Sequence, residues 1–209
     1  MTRMIFVRHG ESTGNLKRIF YGHTDGELTD FGRLQAERAR DYLRGFHIDA
    51  AYASDLSRAY ETGKIILEPH NIELVGNEKL REIYAGEWEN MLFDDIEVKF
   101  NAEYEKFRQN SWYSHPEGGE SVEEMTYRIR DEVWRIAKAH DNETVFIAFH
   151  STPLRSLACE WNNVPYSKMN EQGWIGNASV SIVEYDIENH TTKPELIGYN
   201  DFLNDLTKE

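Results

Sequence analysis

Two short runs in this chain are apolar at every position, Met4-Ile5-Phe6-Val7 and Val145-Phe146-Ile147-Ala148-Phe149, and each is followed closely by a histidine, His9 and His150. They are too short for helices and rich in β-branched and aromatic residues, which predicts strands, the second apolar on both faces and central in a parallel sheet. Further strands are predicted at Ala50–Ala53, Glu73–Val75, Ser179–Tyr185 and Glu195–Tyr199, the last two joined by a turn around Glu188-Asn189. Between them the apolar spacing becomes helical. Phe31, Leu34, Ala39, Tyr42, Leu43 and Phe46 predict a helix capped by Thr29 or Asp30 and stopped near Gly45, after a short helical turn at Asn15–Arg18. Ser54 or Asp55 is expected to cap a helix to about Leu67, Ser121 and Glu124 form a capping box for one to about His140, and Ser151 or Thr152 is expected to cap one with Pro153 near its first position. Phe93, Ile96, Phe100, Tyr104 and Phe107 predict one amphipathic helix, in a segment that also holds Trp88, Trp112 and Tyr113. The whole pattern predicts an α/β three-layer sandwich, a mostly parallel central sheet flanked by helices. One domain is expected over 1–209, with a helical insertion at about 86–120 that either packs on the core or closes over the strand ends as a lid.

Composition narrows the function classes. The formal charge of −14 at pH 7 argues against nucleic acid as a partner, because phosphate-backbone binding needs a basic surface. No apolar run approaches the roughly 20 residues of a membrane span, and the first strand follows Met1-Thr2-Arg3 directly, so a soluble cytoplasmic protein without membrane association is expected. The lone Cys159 lies in an apolar helical stretch and reads as core packing in a reducing compartment. The sequence leaves open whether the chain is a monomer or a homodimer.

Arg8-His9-Gly10-Glu11 turns the end of the first strand into a reactive corner: a planar fork of donors for an anion, a nitrogen nucleophile or base, and a glycine that lets backbone approach a ligand. His150 stands in the same position after the other buried strand. Arg58 falls in a first helical turn, where acids are favoured, so an anion shared by Arg58 and that helix end is inferred. If the two strands are neighbours, both imidazoles and both arginines converge on one anion, with Glu82 able to supply a proton. His47, His70, His140 and His190 are expected in solvent at loops and helix ends, and no spacing of histidine and cysteine suggests zinc.

At this point the residues resemble the phosphoglycerate-mutase-like branch of the histidine phosphatase superfamily. The resemblance rests on Arg8-His9-Gly10-Glu11 with Asn15 and Arg18, on Gly22, Asp25, Leu28-Thr29, Gly32 and Gln35-Ala36, and on Ser54-Asp55-Leu56-Ser57-Arg58-Ala59. It continues through Leu80-Arg81-Glu82 with Gly86 and Trp88-Glu89, Gly119-Glu120-Ser121, and His150 with Arg155. The chain departs from the pattern where Ser151 follows His150 and where Asn90 follows Trp88-Glu89, positions at which the family commonly has glycine. The resemblance implies that His9 becomes a phosphohistidine, that Arg8, Arg58 and His150 hold the phosphoryl oxygens with Asn15 and Ser151 assisting, and that Glu82, protonated at the outset, serves the leaving oxygen. It places His23 and His115 near the pocket rim and His23 among the substrate-binding residues. It implies no metal and no cofactor. The expected activity is hydrolysis of a small phosphate monoester; a mutase and a non-catalytic phosphoryl-binding protein are the alternatives. The excess of acids in the 86–120 segment, from Glu87 to Glu105, argues against a second phosphate in the site.

Overall fold

The computed structural model describes residues 1–109, 112 and 115–207. The two apolar runs form β1 (Thr2–Arg8) and β4 (Thr144–Phe149), which lie side by side and parallel with Arg8 opposite Phe149. They are the middle of a six-stranded sheet that also contains β2 (Ala50–Ala53), β3 (Leu74–Gly76), β5 (Val180–Asp186) and β6 (Thr191–Tyr199), in the order β3-β2-β4-β1-β5-β6. The first four strands are mutually parallel, β5 runs against β1, and β6 runs against β5.

Because successive side chains on a strand point to opposite faces, the continuous apolar runs feed two cores at once. Met4, Phe6, Val145, Ile147 and Phe149 pack against α6 (Val122–Ala139) and α7 (Ser151–Trp161). Ile5, Val7, Phe146 and Ala148 pack on the other side, in the cluster containing Ala39 and Leu43 of α2 (Asp30–Leu43) and Ile66 and Leu67 of α3 (Ser57–Leu67). These strand residues are fully buried, at about 1.5–3 kcal/mol for each large side chain, which fixes register strongly: a slip of one residue would exchange the two cores. The three-layer α/β architecture is therefore the expected one.

Several boundaries differ from the sequence pattern, beginning with the short first helix, α1 (Thr13–Lys17), which starts two residues before the expected Asn15 and ends one before Arg18. The single helix expected at 93–107 is two, α4 (Phe93–Lys99) and α5 (Asn101–Gln109), broken at Phe100, whose φ of −124° and ψ of 37° leave the helical region. The break lets Phe100, Tyr104 and Phe107 wrap around the buried Trp88, at 6.2, 5.7 and 5.5 Å between ring centroids, where a straight helix would present them as a stripe. Tyr113 lies outside the described residues. β6 begins four residues before the expected Glu195, because its first half is a polar edge strand carrying Pro194, with no hydrophobic signal to read. Neither Ser54 nor Asp55 caps α3; Leu56 occupies that position, and the Asp25 carboxylate accepts the Ser57 N–H at 2.8 Å from across the chain. α7 is likewise entered from His150 without a side-chain cap, and Pro153 is its third residue.

Cys159 is buried in the α7 core as expected, and burial pushes its thiol up to about 11. His70 and His140, expected in solvent, are instead partly buried, His140 between the Tyr52 hydroxyl at 2.9 Å and Glu143 at 2.6 Å, whereas His190 is exposed as expected and stacks on Trp134 at 4.0 Å. Among the described residues no helix is long and apolar enough to cross a membrane.

Candidate active site

The adjacent carboxyl ends of β1 and β4 bring the two histidines together. The His9 N–H donates to the Phe149 carbonyl at 2.9 Å, and the His9 and His150 rings meet edge-on with centroids 5.3 Å apart. His9 is 4 % exposed and His150 fully buried. His9 Nδ1 lies 2.7 Å from the Gly10 carbonyl; since a carbonyl only accepts, the proton is on Nδ1 and Nε2 keeps its lone pair. Burial, and then the Arg58 and Arg8 charges, hold the His9 pKa well below 6.5. Burial, and then Arg58 and His9, do the same to His150, whose two ring nitrogens are buried without a partner.

The two arginines are positioned by backbone carbonyls, with no carboxylate of the described residues in ion-pair contact. Arg8 donates through Nη1 to the Ile175 carbonyl at 2.6 Å, lies 4.9 Å from the Trp174 ring centroid, and is pushed by burial down to about 10. Arg58 enters from the second residue of α3 and donates to the carbonyls of Thr24 at 3.1 Å, Tyr21 at 3.2 Å and Gly22 at 2.9 Å. The end of α3 beside Arg58 is taken by Asp25, which accepts the Ser57 N–H at 2.8 Å and the Ser57 hydroxyl at 2.6 Å, while Arg58 itself lines the cavity. Gly10 also differs from its reading. A Cβ there would collide with the Gly32 carbonyl, so the glycine admits the backbone of α2.

Glu82 is 7 % exposed, and its carboxylate accepts the N–H of Ile83 at 2.9 Å and of Thr152, in the first turn of α7, at 3.2 Å. Its own carbonyl accepts from His23 Nε2 at 2.9 Å and Arg128 Nη2 at 3.2 Å. His23, expected to touch substrate, therefore stands behind Glu82 and lines a separate recess with Tyr84 and Arg128, outside the lining of the cavity that holds His9. His115, expected at the rim, is exposed, is not among the cavity-lining residues, and donates to the Pro116 carbonyl at 3.0 Å.

Arg8, His9, Asn15, Arg58, Glu82 and Ser151 line one cavity of about 420 Å³. The Asn15 side-chain Oδ1 accepts the Ser12 N–H at 3.0 Å in a capping box, and the Ser151 Oγ is buried without a partner. Phe20, Phe93, Tyr104 and Phe107 also line the cavity. The acids of the 86–120 segment do not line this cavity: its contribution there is aromatic, plus Arg108, which is paired with Glu105 at 3.2 Å and Glu97 at 3.9 Å. Glu82 is the one carboxylate among the lining residues, facing four arginines in a chain of strongly negative charge. Among the described residues no group of three or more histidine, cysteine or acidic side chains is arranged to hold a metal ion.

One organiser, Glu89, entered the sequence analysis only within the resemblance, with no role assigned to it. Glu89 accepts the N–H groups of Gly22, His23, Thr24 and Ala85, at 3.3, 2.7, 2.8 and 2.9 Å, and so holds the loop whose carbonyls hold Arg58. Its signal was an acid beside a buried tryptophan in a loop. Asn90 next to it adopts a φ of +61°, the left-handed conformation that asparagine tolerates best after glycine, so the departure from glycine there leaves the turn intact.

The sequence profile of the histidine phosphatase superfamily (branch 1) matches residues 4–196. Phosphoserine phosphatase 1 of Hydrogenobacter thermophilus is 30% identical over 186 residues, 89% of this chain and 88% of that protein. A 2,3-bisphosphoglycerate-dependent phosphoglycerate mutase of Parvibaculum lavamentivorans is 30% identical over 204 residues, 93% of this chain and 95% of that protein. Among solved structures, Bacillus stearothermophilus YhfR has a TM-score of 0.92 at 29% identity, covering 97% of this chain and all of the other.

Proposed function

We propose that this chain, which belongs to the histidine phosphatase superfamily (branch 1), is a phosphoric monoester hydrolase working through a phosphohistidine on His9. The observation that carries the reading is the pairing of a buried, neutral imidazole, its Nε2 lone pair free, with two guanidinium groups that no carboxylate neutralises, all on one cavity with Glu82. In the first step Nε2 forms a bond to phosphorus as the ester P–O bond breaks, and Glu82 gives its proton to the departing alcohol oxygen. In the second, water attacks phosphorus, yields a proton to the Glu82 carboxylate, and the N–P bond breaks to release phosphate and neutral His9. Arg8 and Arg58 meet the charge spread over the phosphoryl oxygens, and His150 can donate one ring N–H to the same group. Asn15 and Ser151 stand at the cavity wall for the remaining contacts.

The Nδ1–H bond to the Gly10 carbonyl supports this assignment of roles, because it presents the same nitrogen as nucleophile throughout and steadies the imidazole as positive charge develops. Carbonyl partners also leave the guanidinium charge available, whereas an ion pair would cancel it.

The experiment is hydrolysis of p-nitrophenyl phosphate by wild type and His9→Ala, with chelator present, from mildly acid to neutral pH. Activity in the wild type that the substitution abolishes is expected; activity that survives it would discard the mechanism. The mutase relative and the cavity-facing Arg108 favour a second reading, return of the phosphoryl group to a second hydroxyl. Against it, Arg108 is already paired by two glutamates. Isomerisation of phosphoglycerate that depends strongly on bisphosphoglycerate would establish the mutase instead.

A further inference from the structure

β1 ends at Arg8, and the N–H groups of Gly10 and Glu11, just past the nucleophile, lie beyond its ladder. Buried backbone donors need partners, and here each is met by a side chain from a different helix. Thr62 of α3 accepts the Gly10 N–H at 3.0 Å, while its own hydroxyl donates to the Arg58 carbonyl at 2.7 Å. Gln35 of α2 accepts the Glu11 N–H on its Oε1 at 2.8 Å.

The second of these bonds bears on the nucleophile. One planar peptide group joins the Gly10 carbonyl to the Glu11 N–H, and that carbonyl is the acceptor 2.7 Å from His9 Nδ1. Gln35 thus grips one end of the peptide whose other end sets the His9 tautomer. Its bond fixes the plane, and an amide that donates its N–H becomes a stronger acceptor at its carbonyl. Helix α2 comes this close because neither Gly10 nor Gly32 has a Cβ: one on Gly10 would meet the Gly32 carbonyl, and one on Gly32 the Glu11 carbonyl. Gln35 stands one turn beyond Gly32 on the same face of α2. It is half-buried and is not among the cavity-lining residues, so it acts on the reaction only through the His9 loop.

We propose that Gln35 is a positioning residue: by holding the Gly10–Glu11 peptide it keeps the His9 proton on Nδ1, so that Nε2 alone is presented to phosphorus. This rests on the phosphohistidine reading above. Without that grip the peptide can turn its carbonyl away from Nδ1, and the neutral imidazole then populates both tautomers. The one protonated on Nε2 has no lone pair there to give.

The test reads the His9 ring in the resting enzyme by long-range hydrogen–nitrogen correlation NMR, with His9→Asn identifying its signals. The wild type is expected to show one tautomer, protonated on Nδ1. Gln35→Met, of similar length but without the amide acceptor, should show a mixture of both and a fall of about 10-fold in kcat/KM on p-nitrophenyl phosphate, the loss of about one hydrogen bond. Gln35→Glu, whose carboxylate still accepts the N–H, should restore the single tautomer and a rate above that of Gln35→Met. Should Gln35→Met not fold, Gln35→Asn, with its oxygen drawn back by one methylene, takes its place. A Gln35 that serves stability alone would lower the folded fraction and leave the ring unchanged. A single Nδ1-protonated tautomer in the acceptor-deficient variant would therefore overturn the proposal, as would a wild-type His9 protonated on Nε2. Because the ring is read without substrate, a wild type that responds to these substitutions but hydrolyses no monoester would remove the hydrolase reading and leave the control of the tautomer standing.

Discussion

Acidification should destabilise this protein well before its carboxylates titrate, and the loss should trace to the same two imidazoles that the proposed chemistry needs neutral. His9 and His150 both have folded-state pKa values held well below 6.5, first by burial and then by neighbouring charge. In the unfolded chain each takes up a proton near 6.5, so below that pH the unfolded state binds more protons and stability falls with pH. The contribution is fully present above 6.5 and is lost as pH drops from there toward the folded values. For a group that stays neutral when folded, going from about pH 7.5 to 5.5 costs about 1.4 kcal/mol, hence about 2.7 kcal/mol for the pair. For a chain of this size that is a fall in Tm of about 5–11 °C. His23 and His70, also lowered by burial, act in the same direction. Lowered carboxylates such as Glu89 and Asp55 lose their contribution only near and below about pH 4.5, outside this window. The assay is urea denaturation at pH 7.5 and 5.5 for wild type, His9→Asn and His150→Asn. Each variant should lose about 1.4 kcal/mol less than wild type over the interval. Equal losses in all three proteins, or no loss in wild type, would show that these imidazoles are charged in the folded state and would refute a neutral nucleophile. In catalysis the same shift puts the acid limb of kcat/KM that reports His9 well below pH 6.5.

Replacing Glu82 by Gln should lower kcat/KM by about 10²–10⁴-fold on alkyl phosphates and far less on p-nitrophenyl phosphate, whose leaving oxygen needs no proton; equal losses on both would make Glu82 a structural residue. Glu89→Gln should cost about 2–4 kcal/mol in urea denaturation and also lower kcat, because an amide group would then face backbone N–H donors around the loop that carries Arg58. An unchanged kcat with lowered stability would separate Glu89 from the positioning of Arg58.

The chain's own pattern determined the sheet and the corner of the site. Two uninterrupted apolar runs can be satisfied only between two helical layers, and a histidine following each is then carried to one edge by the strands that bear it. Arg8, Arg58 and Glu82 were legible for a related reason: each sits at the boundary of a predicted element, where side chains are free to serve a cavity. What depends on contacts distant in sequence was decided only by the tertiary structure. Asp25 caps α3 from 32 residues away, and Glu89 gathers a loop more than 60 residues before it. His23 turns behind Glu82, and the acids of the 86–120 segment do not line the cavity while its aromatic residues face in. Periodicity records which face of an element is apolar, whereas hydrogen bonds and ion pairs are chosen by which loops the fold happens to bring together. Arg155 combines both kinds of information: its place on α7 is written in the sequence, whereas its lack of a carboxylate partner, shared among the arginines of the described residues only with Arg8 and Arg58, is visible only in the fold.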